Sequence, residues 1–301
     1  MNSPKKNCRS LARALLVAAT ATVLAAPAFA ADYTMKISTP TINDLQHEWM
    51  KLYKEELEKR TDGRIEVQLY PASQLGPINN VMEGLQLGTI EATITPSEFY
   101  VGVDPRFQVP AVPGLFDSMD DARAKLDDPK VREELLGMAT SKGITGISVL
   151  VYGPQMIDTR DDVKTLADLS GKRIRVLASE TEIGTINALG ASAIPMPLNE
   201  VSAALQQGAI DGVSTVLDVF VALGTADVAP HVTKTELWYL IPIASVSTAW
   251  LQSLPQDLQH AVIETGKAPD QPMFTRELDR LKEHCETSTA AAGPITQLHA
   301  E

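Results

Sequence analysis

The sequence predicts an α/β protein of two lobes, each built strand, helix, strand, helix, strand (βαβαβ). Three observations carry that reading. Short runs alternating apolar and polar are separated by stretches whose apolar residues recur three and four apart, the order of parallel β-α-β units. The order occurs twice, from Tyr33 to Thr95 and from Arg173 to Val216. The two copies also end alike, with Leu85-Gln86-Leu87-Gly88-Thr89-Ile90-Glu91 in the first and Leu205-Gln206-Gln207-Gly208-Ala209-Ile210-Asp211 in the second.

In the first lobe Tyr33 to Ser38 alternates as a strand, with Tyr33, Met35 and Ile37 on one side. Thr39-Pro40-Thr41 breaks it, and Asn43 or Asp44 caps a helix running to Arg60. Leu45, Trp49, Leu52, Tyr53 and Leu57 share one face of that helix, so it packs on a sheet. Asp62-Gly63 ends it, and Arg64 to Tyr70 is a second alternating strand. Pro77 opens a helix to Gly88, and Ile90 to Thr95 is the third strand. The βαβαβ order implies parallel strands joined by right-handed crossovers. From Pro96 to Phe116 four prolines predict an irregular covering segment. Helices near Ser118 to Leu126 and Pro129 to Ser141 follow, then a strand from Thr145 to Tyr152, and Gly153-Pro154 is expected to cross between lobes.

The second lobe opens with Met156 to Thr159. Arg173 to Ala178 is its next strand, followed by a helix whose Ser179 and Glu182 have the spacing of a capping box. Ile183, Ile186 and Leu189 give that helix a buried face, and Gly190 ends it. Ser192 to Met196 is a strand, Leu198 to Gln207 a helix, Ile210 to Val216 a strand, and Leu217 to Gly224 a further helix. The apolar run Leu237 to Val246 is interrupted by Pro242 and falls well short of the ~20 residues of a membrane span. It is expected to return to the first lobe as one buried strand. A helix starting near Leu254 and a charged helical run from Glu277 to Glu286 complete the chain. The expected lobes are residues 31-152 plus 237-301, and residues 153-236.

Composition bounds the function. Lys5, Lys6, Arg9 and Arg13, the apolar run Leu15 to Ala26 and the site Ala28-Phe29-Ala30 form the three parts of a secretory signal, so residues 1-30 are expected to be removed. That takes away four of 26 basic residues and no acidic ones, leaving 22 against 38, a net charge of −16. Such a chain suits neither nucleic acid nor an anionic membrane surface. Cys8 leaves with the leader and Cys285 is left without a partner, so the fold rests on its core rather than on a disulfide. Cys285 sits in a charged run beside His284 and reads as a surface thiol.

The residue patterns of enzyme chemistry are absent. There is no G-x-S-x-G, H-E-x-x-H, Walker loop or G-x-G-x-x-G after a strand. The five histidines include no pair three to five apart, and neither a metal nor another cofactor is expected. Asp120-Asp121, Asp127-Asp128 and Asp161-Asp162 read as solvated turns. Arg175 stands out, because ligands of α/β sheets bind beyond the carboxyl ends of strands and Arg175 lies near such an end. A guanidinium there can hold a carboxylate through two parallel hydrogen bonds. The competing reading pairs Arg173 and Arg175 with surface acids such as Asp168.

Several motifs now agree. Ile65-Glu66-Val67 to Tyr70-Pro71 with Gln74-Leu75-Gly76, then Asp168 through Val176, then Leu189-Gly190-Ala191 with Pro195 and Pro197, then Glu200-Val201 to Asp211-Gly212 resemble the extracytoplasmic solute-binding subunits of TRAP transporters, of the dicarboxylate-binding type. The resemblance covers nearly all of the chain after residue 30. It implies a two-lobed periplasmic binding protein fold, type II-like, with the βαβαβ lobes joined by hinge strands. It implies that a monomer captures a small carboxylate-bearing organic acid and delivers it to a sodium-coupled TRAP membrane permease. Arg175 matches the family's carboxylate-clamping arginine. Sialic-acid binders of the family have a second arginine where this chain has Gln155, and an asparagine where it has Thr215. Their first strand-end acid falls near Pro96-Ser97, and Ser202 stands where an aromatic residue usually follows the Glu-Val pair. The expected site is therefore Arg175 with Gln155 and Thr215 from one lobe and Thr95 and Ser97 from the other, holding a small, singly clamped acid rather than a sugar acid. A secreted hydrolase, or a binding protein serving a sensor, are the alternatives.

Overall fold

The computed structural model describes residues 31-267, Asp279 and Thr296–Gln297. The expected leader, Cys285 and all of the run from Glu277 to Glu286 except Asp279 lie outside the described residues. The first lobe comprises β1 (Tyr33–Ser38), α1 (Leu45–Arg60), β2 (Ile65–Tyr70), α2 (Ile78–Leu87), β3 (Ala92–Pro96), α3 (Met119–Leu126), α4 (Pro129–Gly137) and β4 (Ile144–Val149). Then come β5 (Gly153–Thr159), β6 (Arg173–Val176), α5 (Glu180–Ala188), β7 (Ser192–Pro195), α6 (Val201–Gln206), β8 (Gly212–Thr215), α7 (Leu217–Leu223) and β9 (His231–Leu240). The chain goes on through β10 (Pro242–Ser247), α8 (Thr248–Ser253) and α9 (Gln256–Lys267), and β11 is Thr296–Gln297.

Two sheets result, in the orders β2-β1-β3-β10-β4 and β11-β9-β5-β8-β6-β7. In the first, β1 pairs in parallel with β2 and β3, as the βαβαβ order implies, while β10 runs antiparallel between β3 and β4. In the second, β6 pairs in parallel with β7 and β8, and β5 runs antiparallel between β8 and β9. One plan is therefore used twice. The antiparallel strand in each sheet adjoins the crossover between lobes, and the two crossovers lie side by side. The Leu150 amide donates to the Pro242 carbonyl at 3.0 Å and the Tyr152 amide to that of Leu240 at 2.9 Å.

Helix α1 illustrates how sequence becomes packing. Its N-terminus is capped by Asp44, which accepts from the His47 amide at 3.0 Å and from the Tyr152 hydroxyl at 2.7 Å, tying the helix to the crossover. Leu45, Trp49, Met50, Tyr53 and Leu57 are buried in the largest core cluster, each contributing on the order of 1.5–3 kcal/mol. The rings of Trp49 and Tyr53 stack with centroids 4.8 Å apart, and the Tyr53 hydroxyl donates to the Val262 carbonyl of α9. In the second sheet Gly212 lets β8 fit between β5 and β6, since a Cβ there would lie 2.1 Å from the Asp158 carbonyl oxygen.

Four expectations need correction. The apolar run Leu237 to Val246 is not one returning strand: Leu240 and Tyr239 still pair with β5, and the chain changes sheets at Ile241, ahead of Pro242. The pairing of Thr296–Gln297 with β9 also places those residues on the second sheet, not with the first lobe. Gly153 and Pro154 belong to β5 rather than to the crossover, because both are paired to β9. The helix expected from Leu198 begins as a 3-10 turn, Leu198–Glu200, and is α-helical only over Val201–Gln206. Likewise the irregular stretch after Pro96 contains two 3-10 turns, Ser97–Tyr100 and Pro105–Ala111.

Candidate ligand site

The carboxyl ends of β3, β6 and β8 converge where the two lobes meet, the position at which open α/β sheets receive ligands. Arg173 and Arg175 share a face of β6 but not a role. Arg173 forms a bidentate pair with Asp211, with Nε and Nη2 donating at 2.9 Å and 2.7 Å, and the pair is partly exposed. Its partner is thus Asp211 rather than Asp168, whose carboxylate instead caps the turn at Thr165. Arg175 is 1% exposed. Its Nε donates to the Met196 carbonyl at 3.0 Å, while Nη2 is buried without a partner. A buried guanidinium with an unmet donor is costly and calls for an acceptor.

Two carboxyl groups not expected at the site, Glu182 and Glu98, complete the electrostatics. Glu182 is not the reciprocal half of a capping box. Ser179 does accept from the Glu182 amide, but the Glu182 carboxylate turns inward, accepting from the Leu177 amide and the Ser214 hydroxyl, both at 2.8 Å. Burial pushes it up to about 7, opposed by Ser214, Arg175 and the Leu177 amide. Glu98 follows β3 in the first lobe. Burial, and then the charge of Glu182, push it up to about 8, and its Oε1 has no partner. Burial pulls Arg175 down to about 10 against the charge of Glu182. Both acids lie beyond the carboxyl end of a strand, the signal that could have exposed them in the sequence.

A cavity of about 20 Å³ lies beside Arg175, lined also by Thr41, Gln46, Pro96, Phe99, Leu177 and Thr215. That is room for a single water, so a larger occupant requires the lobes to part. The cavity shares Pro40, Thr41, Leu198 and Val219 with a groove of about 220 Å³ that adds Ile42, Ala72 and Asn199. A larger groove of about 420 Å³ lies elsewhere on the first lobe among Val109, Phe116, Val131 and Met138. Its lining is mainly apolar, with Arg106, Lys125 and Glu134 among it, and among the described residues it contains no buried polar atom lacking a partner.

Of the residues expected at the site, Arg175 and Thr215 line the cavity. Gln155 is buried behind it, where Oε1 accepts from Ser214 at 3.4 Å and Nε2 lacks a partner. On the first lobe Pro96 faces the cavity, while Thr95 and Ser97 alternate away from it. Thr95 is fully buried with its hydroxyl unpartnered, and Ser97 donates its hydroxyl to Glu98 at 3.3 Å. Gln46, with a free Oε1, was not foreseen.

Two α/β lobes joined by paired crossovers, with a charged and incompletely bonded site between them, define the class of two-lobed binding proteins. The chain belongs to the bacterial extracellular solute-binding proteins, family 7, whose sequence profile matches residues 38–301. A solute-binding protein of Verminephrobacter eiseniae is 33% identical over 266 residues, covering 88% of this chain and 79% of that protein. The C4-dicarboxylate-binding periplasmic protein of Rhodobacter capsulatus is 30% identical over 250 residues, covering 81% and 74%. The crystal structure of a TRAP periplasmic solute-binding protein from Xanthobacter autotrophicus, with bound β-D-galacturonate, superposes with a TM-score of 0.84 at 25% identity, covering 88% of this chain and 89% of that one. The family is extracytoplasmic and made of binding proteins rather than enzymes, which sets aside the hydrolase alternative. No helix among the described residues is long and apolar enough to cross a membrane.

Proposed function

We propose that this chain is the periplasmic binding subunit of a TRAP transporter, that Arg175 clamps the carboxylate of a small hydroxy-rich acid between the closing lobes, and that the acid passes to a sodium-coupled permease. The observation that carries the reading is Arg175 itself, fully buried at a strand end with Nη2 unpartnered. An incoming carboxylate satisfies that donor, and the amide of Gln155 offers a second. Unpartnered acceptors, Gln46 Oε1 and Glu98 Oε1, suit hydroxyl groups on the rest of the solute. A second carboxylate would meet Glu98 and Glu182, so a monocarboxylic sugar acid of the galacturonate kind fits better than a C4-dicarboxylate. This reverses the expectation, drawn from Gln155 and Thr215, that a sugar acid is disfavoured.

The test is calorimetry of D-galacturonate and succinate against the intact protein and Arg175→Lys. Lysine keeps the charge but not the two-pronged geometry, so galacturonate affinity should fall by roughly ten- to a hundredfold. Equal affinity in the variant, or tighter binding of succinate than of galacturonate, would sink the reading.

A further inference from the structure

We infer that Glu98 and Glu182, carried by opposite lobes, act across the closed cleft as a proton-holding carboxyl pair, so that a hydroxy acid is taken up together with a proton. This deepens the proposed acid site and rests on it. The closed site brings one cation, Arg175, together with two buried carboxyl groups, and the solute adds a third. Three carboxylates against one guanidinium, out of water, carry a self-repulsion that protonation relieves.

Among the described residues, the elements packed most closely on them place no unpaired charge to balance them. Of the elements packed on the turn that carries Glu98, α2 offers only the exposed Glu83, β3 offers none, and the turn Pro105–Ala111 offers Arg106, which is paired with Asp104. Of those packed on α5, β7 offers none, β6 offers Arg175 and the Asp211-paired Arg173, and the same turn again offers Arg106. Glu180, on α5 itself, is exposed. Among the described residues no group of three or more His, Cys, Asp or Glu side chains could hold a metal ion there.

The two carboxyls are also unequally served. Glu182 has both oxygens bonded, by Ser214 and by the Leu177 amide. Glu98 is served by its own amide and by the Ser97 hydroxyl on Oε2, while Oε1 is buried and unmet. Glu98 is therefore the better seat for the proton. As a neutral carboxyl it can both donate to and accept from a hydroxyl of the solute, which a carboxylate cannot. Opening the lobes returns Glu98 to water, where it ionises, so closure on the acid draws one proton from solvent. The net step is the binding of one carboxylate at Arg175 and one proton at Glu98. An amino acid, whose ammonium would neutralise the pair itself, would need no proton.

The experiment measures heats of D-galacturonate binding at pH 7.5 in phosphate, HEPES and Tris, whose different ionisation heats report proton uptake. The intact protein should take up about one proton per acid bound, and Glu98→Gln less than half of that. No uptake by the intact protein, or unchanged uptake in Glu98→Gln, would overturn the pair. Melting of the galacturonate-saturated protein, whose lobes are closed, supplies a second readout. Because the folded-state pKa of Glu98 lies above its ordinary value of 4.5, its stabilising contribution is complete below that value and is lost as pH rises through about 8. The fall in melting temperature between pH 5 and 8.5 should be smaller in Glu98→Gln, and an identical profile would refute the buried carboxyl. If galacturonate fails to bind at all, the proposed ligand class falls, and the same buffer series run with succinate decides the pair.

Discussion

Replacing Arg175 by methionine should improve the ligand-free protein while destroying its function. Burial pulls the guanidinium well down from its ordinary value, to about 10, and each step of one in pKa is worth ~1.4 kcal/mol. The charge thus costs the closed, ligand-free state on the order of 3 kcal/mol. Its compensation is one hydrogen bond to the Met196 carbonyl and the attraction of Glu182. Methionine fills similar volume with apolar atoms and leaves no unmet donor. It removes the cation beside Glu182, but that carboxyl is already pushed up to about 7 and can become neutral at small cost. A net gain of roughly 1–2 kcal/mol follows, by analogy with buried charges replaced by apolar side chains. For a domain of this size that is a rise in melting temperature of about 2–8 °C. Thermal unfolding followed by circular dichroism measures the gain, and calorimetry with galacturonate measures the loss of binding. A variant that melts lower than the parent would mean that Arg175 is a structural member of the fold, and the clamp argument would fail.

Two further outcomes follow from the geometry. Arg173→Ala removes a partly exposed, solvent-screened pair with Asp211 and should leave galacturonate affinity within about twofold of the parent. A large affinity loss there would show that the wrong arginine has been assigned. Gly212→Ala places a Cβ 2.1 Å from the Asp158 carbonyl oxygen, a backbone atom that cannot step aside, and should destabilise by at least about 3 kcal/mol in urea titrations. A near-neutral result would mean that β5 and β8 are not packed as described.

Much of the fold was legible because it is written in short-range patterns. The face of α1 through Trp49, Tyr53 and Leu57 and the repeated turn at Gly88 and Gly208 are local signals. The antiparallel insertion of β5 and β10 was not legible, since nothing in a strand's own residues says which distant strand it will join. The same gap explains the misreading at Leu237 to Val246. Apolarity marked the run as buried, but its division between two sheets depends on partners such as Gly153 and Thr95 that lie far off in the sequence.

The site divides in the same way. Sequence by itself determined that the chain is α/β, twofold in plan and acidic, and that an arginine stands near the end of a central strand. Only the tertiary structure decided that Arg173 is neutralised by Asp211 while Arg175 is sealed from water with a donor unmet. It also decided that Glu182, read as a helix cap, and Glu98, read as part of a covering segment, are both buried. Charge in a sequence has no dielectric until the chain closes around it. Whether a carboxyl is solvated surface or part of a binding site is set by which distant residues exclude the water.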